Sequence, residues 1–263
     1  MDSDRNALRA FFGIVALLFI ASSAVTVVWC TSMSAMAEMP MPGGWGMSMT
    51  WMPMRGQSLF GAAASFLAMW DVMMLAMMLP CLAPTLLRYR KAVQKTGARR
   101  LGWLTALVGL GYFLIWTIVG LAVFPLGVGL NAILMQHKEL SLIVPVAIGI
   151  VVLAAGLLQF TGWKLHQLAC CRELPFRDQT IPDDACGAWK HGLRLGIRCS
   201  RCSAGLMSIL IVMGMMNLFG MAIITVAINF ERLAPASKWV TGTIGAVGIG
   251  AGFFLIAQAV GIL

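Results

Sequence analysis

Six uninterrupted apolar runs constrain this chain more than any other feature. They cover residues 10–29, 59–87, 101–130, 141–163, 203–230 and 240–263. Each reaches the roughly 20 residues that an α-helix needs to cross a bilayer. Runs of that length are far too long for barrel strands, so each is expected to be a helix with its backbone polar groups satisfied internally. Of the 263 residues, 60% are hydrophobic and only 11% are charged, and no stretch has the composition of a separate soluble domain. The expected fold is therefore all-α, a single polytopic membrane domain over residues 1–263 with six transmembrane helices and the lipid bilayer as its main partner.

The net charge of +9 does not point to nucleic acid, because the basic residues are unevenly placed. Arg5 and Arg9 precede the first run. Arg88, Arg90, Lys91, Lys95, Arg99 and Arg100 follow the second, and Lys164, Arg172, Arg177, Lys190, Arg194, Arg198 and Arg201 follow the fourth. The opposite loops hold only Arg55, Lys138, Arg232 and Lys238. Under the positive-inside rule this asymmetry puts both termini in the cytoplasm of a multi-pass plasma-membrane protein. The first run also has the build of a signal peptide, with Ser22-Ser23-Ala24 as a weak cleavage region; we read it as a retained anchor. In the last run Gly248 and Gly252 form a small-xxx-small pair suited to close helix contact.

The chemistry-bearing residues are mostly sulfur. In the second run Met74, Met77 and Cys81 fall within about 60° of one another on a helix, with Trp70 between them and Asp71 at the edge of the stripe. A carboxylate at membrane depth is costly and usually faces a protein interior. Met213, Met216 and Asn217 share a face of the fifth run by the same spacing. Asp71 and Asn217 lie roughly 18 and 21 Å along their helices, so a hydrogen bond between them is expected near mid-membrane. The outer loop, residues 31–58, carries Met33, Met36, Met39, Met41, Met47, Met49, Met52 and Met54. Thioethers bind Cu(I) without losing a proton, but methionine also fills irregular gaps in packed cores, and Trp45 and Trp51 could anchor the same loop at the interface.

A second sulfur-rich stretch, residues 164–202, is expected to be a cytoplasmic loop. His166 and Cys170 are four apart and would share a helix face, Cys171 follows, and Cys199-Ser200-Arg201-Cys202 opens the fifth run. A Cys-x-x-Cys beside a second cysteine pair suits zinc or Cu(I), and a reducing cytoplasm disfavours disulfides there. Unrelated buried cysteines are the plainer reading. His137, next to Lys138, reads as a solvated polar residue.

These residues together resemble the predicted metal-binding integral membrane proteins of bacteria and archaea, domain of unknown function 2182. The likeness rests on Trp70, Met73, Ala76-Met77-Met78, Pro80 and Pro84; on Gln159, Thr161, Lys164, Cys171-Arg172 and Pro175; and on Cys199, Cys202, Met216-Asn217-Leu218 and Glu231-Arg232. It spans about Trp70 to Trp239. Family members often carry His-Gly before the cysteine cluster and a further cysteine after it; here Leu195-Gly196 and Ser203 stand there, which implies a site depleted or rebuilt with His191 and Cys186. The resemblance implies metal binding and no established reaction. No paired carboxylates, nucleophile–base pair or cofactor-binding glycine loop is visible. The expected function is thus non-enzymatic handling of a soft metal, copper before zinc, with a periplasmic donor or acceptor as partner. The alternative is an accessory subunit of a larger membrane complex whose methionines only pack.

Overall fold

The computed structural model of the chain describes residues 2–34, 39–40, 46–47, 58–94, 100–172, 184–234 and 237–261. These are helical apart from one two-residue ladder, β1 (Met39–Pro40) with β2 (Gly46–Met47), and the short turns between helices. The helices are α1 (Asp2–Ser34), α2 (Leu59–Gln94), α3 (Leu101–Gln136), α4 (Lys138–Ser141), α5 (Val144–Leu158), α6 (Gly162–Arg172), α7 (Ala185–Met213), α8 (Leu218–Leu233) and α9 (Ser237–Ala259). Five of them, α1, α2, α3, α7 and α9, are long and apolar enough to cross a membrane. The pair α5 and α6, bent by 69°, adds a sixth if it is one span. The outer faces of α1, α3, α5 and α9 expose Ile, Leu, Val and Phe side chains, as a surface that meets lipid rather than water would.

The core follows from side-chain period. Helix α2 buries Phe66, Met69, Trp70, Met73, Met74, Met77, Met78 and Cys81 along one face, so the stripe expected from Trp70, Met74, Met77 and Cys81 is the core face of the central helix. Trp70 Nε1 donates to Trp116 O at 2.8 Å across the α2–α3 contact. Pro80 has no N–H to give the Ala76 carbonyl, and nearby carbonyls draw side-chain donors. Met77 O accepts from Asn229 Nδ2 at 3.2 Å and Met78 O from Cys81 Sγ at 3.1 Å. The small-xxx-small pair is used as expected. A Cβ on Gly252 would sit 2.7 Å from Leu153 N, and one on Gly248 would sit 3.1 Å from Gly156 Cα, so α9 lies directly against α5.

Two expectations are corrected. The apolar run 203–230 is not one span. Helix α7 starts at Ala185, where Asp184 Oδ2 accepts from Gly187 N at 3.2 Å, and ends at Met213. Gly214 then takes φ +98, a left-handed conformation that glycine adopts without steric cost. Asn217 Oδ1 caps α8 by accepting from Gly220 N at 2.9 Å. The chain reverses here: Asn229 and Arg232 reach Met77 and Cys81 in the same order along α2, whereas His191 and Cys199 of α7 reach Tyr89 and Met78 in the opposite order. Most of residues 164–202 is consequently helix, not loop, and Met213, Met216 and Asn217 belong to the reversal, not to a common helix face.

The reversal sends α8, at 16 residues shorter than the helices that pass as spans by length, back along α7. It so places the start of α1 and the end of α9 at opposite ends of the bundle, where a shared side was expected. Phe11 lies under the Arg90 guanidinium, 5.8 Å from its ring centroid, so α1 starts where α2 ends. Gly149 packs on Ile256 and Gly156 on Ile249, so α9 ends beside the start of α5, at the opposite end of the bundle. Reporter fusions before α1 and after α9 should therefore report opposite sides of the membrane. The same side for both would mean that α7 and α8 do not form the hairpin described.

Candidate metal centre

The hairpin of α7 and α8 presses against α2 and α3 and brings sulfur from distant parts of the sequence to one point. Cys81, one residue beyond Pro80 on α2, and Cys199, in the middle of α7, are both buried. Arg232, in the last turn of α8, donates from Nη1 to Cys81 Sγ at 3.0 Å and to Cys199 Sγ at 3.1 Å. The Cys199 thiol donates to Met78 Sδ at 3.9 Å and is 2.8 Å from Tyr112 Oη, where either atom can be the donor. Both sulfurs thus meet one guanidinium nitrogen, with a thioether and a phenol completing the wall.

Adjacent residues on a helix point about 100° apart, so Glu231 and Arg232 serve different neighbours. Glu231 Oε2 forms a 2.8 Å ion pair with Lys164 Nζ of α6, and both side chains are at most 4% exposed. Lys164 Nζ also donates to Cys202 O at 2.7 Å. A buried charge left alone is expensive, and here the Lys164–Glu231 pair is self-compensating. Arg232 keeps its positive charge for the sulfurs. A Cu(I) ion held by two thiolates carries a net −1, which that charge would balance. Two thiolates and a thioether in a dry pocket are the donors that select Cu(I) over harder cations.

The other expected site residues are sorted by the fold. Cys199 and Cys202 do not share a centre. Cys202 lies on the side of α7 that meets α6: Lys164 Nζ donates to its carbonyl at 2.7 Å, and Cys171 Sγ donates to Arg198 O, one turn earlier on α7, at 3.1 Å. His166 and Cys170 form the expected i, i+4 pair, 3.6 Å apart, on the outer face of α6. His191 stacks on Tyr89 at 5.3 Å between ring centroids and Cys186 is exposed, so neither rebuilds the cluster. Among the described residues no group of three or more His, Cys, Asp or Glu gathers around a point, so the cysteines that suited zinc or Cu(I) by spacing do not form a four-donor zinc arrangement.

Asp71 does not meet Asn217. Its Oδ1 accepts from Thr117 Oγ1 at 3.0 Å, and it lines a groove of about 510 Å³ with Leu75, Phe113, Leu114 and Trp189. Met74 and Met77 are buried in the core, and Met216 is half-buried in the reversal. The methionine-rich loop lies outside the described residues, save that Met33 falls within α1 and the Met39 and Met47 backbones pair.

Residues far apart in sequence, Met78 and Cys81, Tyr112, Cys199 and Arg232, therefore converge on one buried centre, with the Lys164–Glu231 pair beside it, in a chain rich in soft donors. The model of the PpoB2 family, copper chaperone, matches residues 67–255. The chain belongs to the PpoB2 copper chaperone family. No curated protein matches the chain, and no solved structure does. The expected kinship with a metal-related family is met under this name, not that of domain of unknown function 2182. The PpoB2 match takes in most of α2 through most of α9, hence every residue of the Cys81–Cys199–Arg232 centre, and leaves out α1 and the methionine-rich loop.

Sequence reasoning missed Tyr112, Met78 and Arg232 as parts of this centre. A signal was available in Glu231-Arg232, an acidic–basic pair closing an apolar run. Charges in such a place need partners, and Lys164 sits in a similar position after the fourth run.

Proposed function

We propose that this copper chaperone family member carries Cu(I) within the membrane, as cargo bound by Cys81, Cys199 and Met78. The observation that carries this reading is the Arg232 Nη1 contact to two buried sulfurs at 3.0 and 3.1 Å, with the Met78 thioether beside them. Arg232 offsets the charge of the bound ion, Tyr112 orients the Cys199 sulfur, and the apolar walls keep water out. The outer methionines, Met33 to Met54, collect the ion from a periplasmic donor. Met74 and Met77 pass it inward, since thioethers need no deprotonation and release a soft ion readily. Asp71 draws cations toward the groove between α2 and α3. No bond other than metal–ligand bonds is made or broken, so the protein is a carrier and not an enzyme.

Protein loaded anaerobically with Cu(I) in detergent should retain tightly bound copper against a soluble Cu(I) chelator, and X-ray absorption should find a sulfur-only shell. The double variant Cys81→Ser/Cys199→Ser should lose that copper while keeping its helical content. A folded double variant that retains wild-type copper would refute the assignment and favour an accessory subunit whose sulfur only packs.

A further inference from the structure

Building on the reading of Cys81 and Cys199 as the cargo site, we infer that Cys171 and Cys202 form a second Cu(I) station, and that the ion passes between the two thiol pairs alongside Arg232. Cys199 and Cys202 lie three residues apart on α7. They are therefore about 60° apart around the helix and ~4.5 Å apart along it, on adjoining faces. The first faces α2, α3 and α8; the second faces α6. Cys171 Sγ donates to Arg198 O at 3.1 Å, one helical turn before Cys202, which sets the two cysteines beside each other across the α6–α7 contact. The positive charge of Arg232, which contacts Cys81 and Cys199, also acts on Cys171. One positive group thus serves sulfurs of both pairs.

Exposure gives the path a direction. Cys81, Cys199 and Cys202 are buried, whereas Cys171 and its neighbour Cys170 are half-exposed. Cys170 is in turn partnered by His166 on the outer face of α6. The second pair is therefore the one from which a soft ion can leave for an acceptor outside the bundle. Two thiolates are a sufficient donor set for Cu(I), and soft thiolates select it. Transfer is a ligand exchange. Bonds from copper to Cys81 and Cys199 break as bonds to Cys202 and Cys171 form. Copper remains Cu(I), no electron moves, and the protons released by the receiving thiols are taken up by the vacated ones. The charge beside Arg232 is unchanged throughout, so the exchange leaves no bare charge in the apolar core.

The test uses full-length protein in detergent, loaded anaerobically with Cu(I) and then challenged with a water-soluble Cu(I) chelator. Cys171→Ser/Cys202→Ser should keep the tightly held ion but release it several-fold more slowly than the unaltered protein. Release at the unaltered rate would overturn the second station and leave the cargo site standing. A copper stoichiometry in Cys81→Ser/Cys199→Ser equal to that of the unaltered protein would instead overturn the cargo site itself. A measurement on the unaltered protein guards against misfolding of the variants: Cu(I) loading should slow alkylation of Cys171 by iodoacetamide, mapped by mass spectrometry. Unchanged alkylation of Cys171 would overturn the inference without any variant.

Discussion

Lys164→Met should destabilise the protein by about 3–5 kcal/mol, the usual cost of leaving one partner of a buried ion pair uncompensated. Lys164 and Glu231 are 2.8 Å apart and nearly inaccessible, and the Cys202 carbonyl would also lose a 2.7 Å donor. The abandoned Glu231 carboxylate would compete for Arg232, the next residue along α8, and draw it away from the sulfurs. Copper affinity should therefore fall together with stability. Lys164→Met combined with Glu231→Gln should recover most of the lost stability, because replacing a buried pair by uncharged groups of similar size is often close to neutral. Thermal unfolding in detergent decides the matter. A single variant that loses less than about 1 kcal/mol would behave like an exposed pair, and the site would be wetter than its geometry indicates.

Arg232→Met should weaken Cu(I) binding about 10–100-fold, the range typical of groups that support metal ligands without binding the metal. The physical reason is charge. With the guanidinium gone, two thiolates and Cu(I) leave a net −1 in an apolar core, with the Tyr112 hydroxyl left to donate to the Cys199 sulfur. Arg232→Lys restores the charge on a shorter reach and should recover part of the affinity. Chelator competition on both variants, with thermal unfolding as a control, separates this role from packing. Equal affinity in the Met and Lys variants would mean that Arg232 acts only through its shape.

Much of the architecture was legible in the sequence because it rests on short-range properties. Run length predicts helices long enough to span, and α1, α2, α3 and α9 lie where the runs place them. The methionine stripe of α2 and the Gly248–Gly252 contact follow from helical period. The hairpin of α7 and α8 was not legible, because hydropathy has no direction. Residues 203–230 stay apolar whether the chain continues straight or turns back on itself. The local signs were present in Gly214 and in Asn217, three residues ahead of Gly220, but a glycine or a cap residue inside an apolar run is also compatible with one long span.

By itself the sequence determined the all-α class, the approximate extent of most spans, the sulfur-rich inner face of α2 and a chemistry suited to soft metals. Each depends on residues within a few turns of one another, where composition and period act directly. Only the tertiary structure decided which sulfurs meet. Cys199 and Cys202 are near neighbours in sequence yet face different helices. Cys81 and Arg232, separated by 151 positions, are joined by a 3.0 Å contact. That choice is made by the reversal at Gly214, which sends α8 back along α7, and by the need of each buried charge for a partner. The sequence shows that a turn is allowed and that the charges need partners, but which helices meet is decided only when they pack.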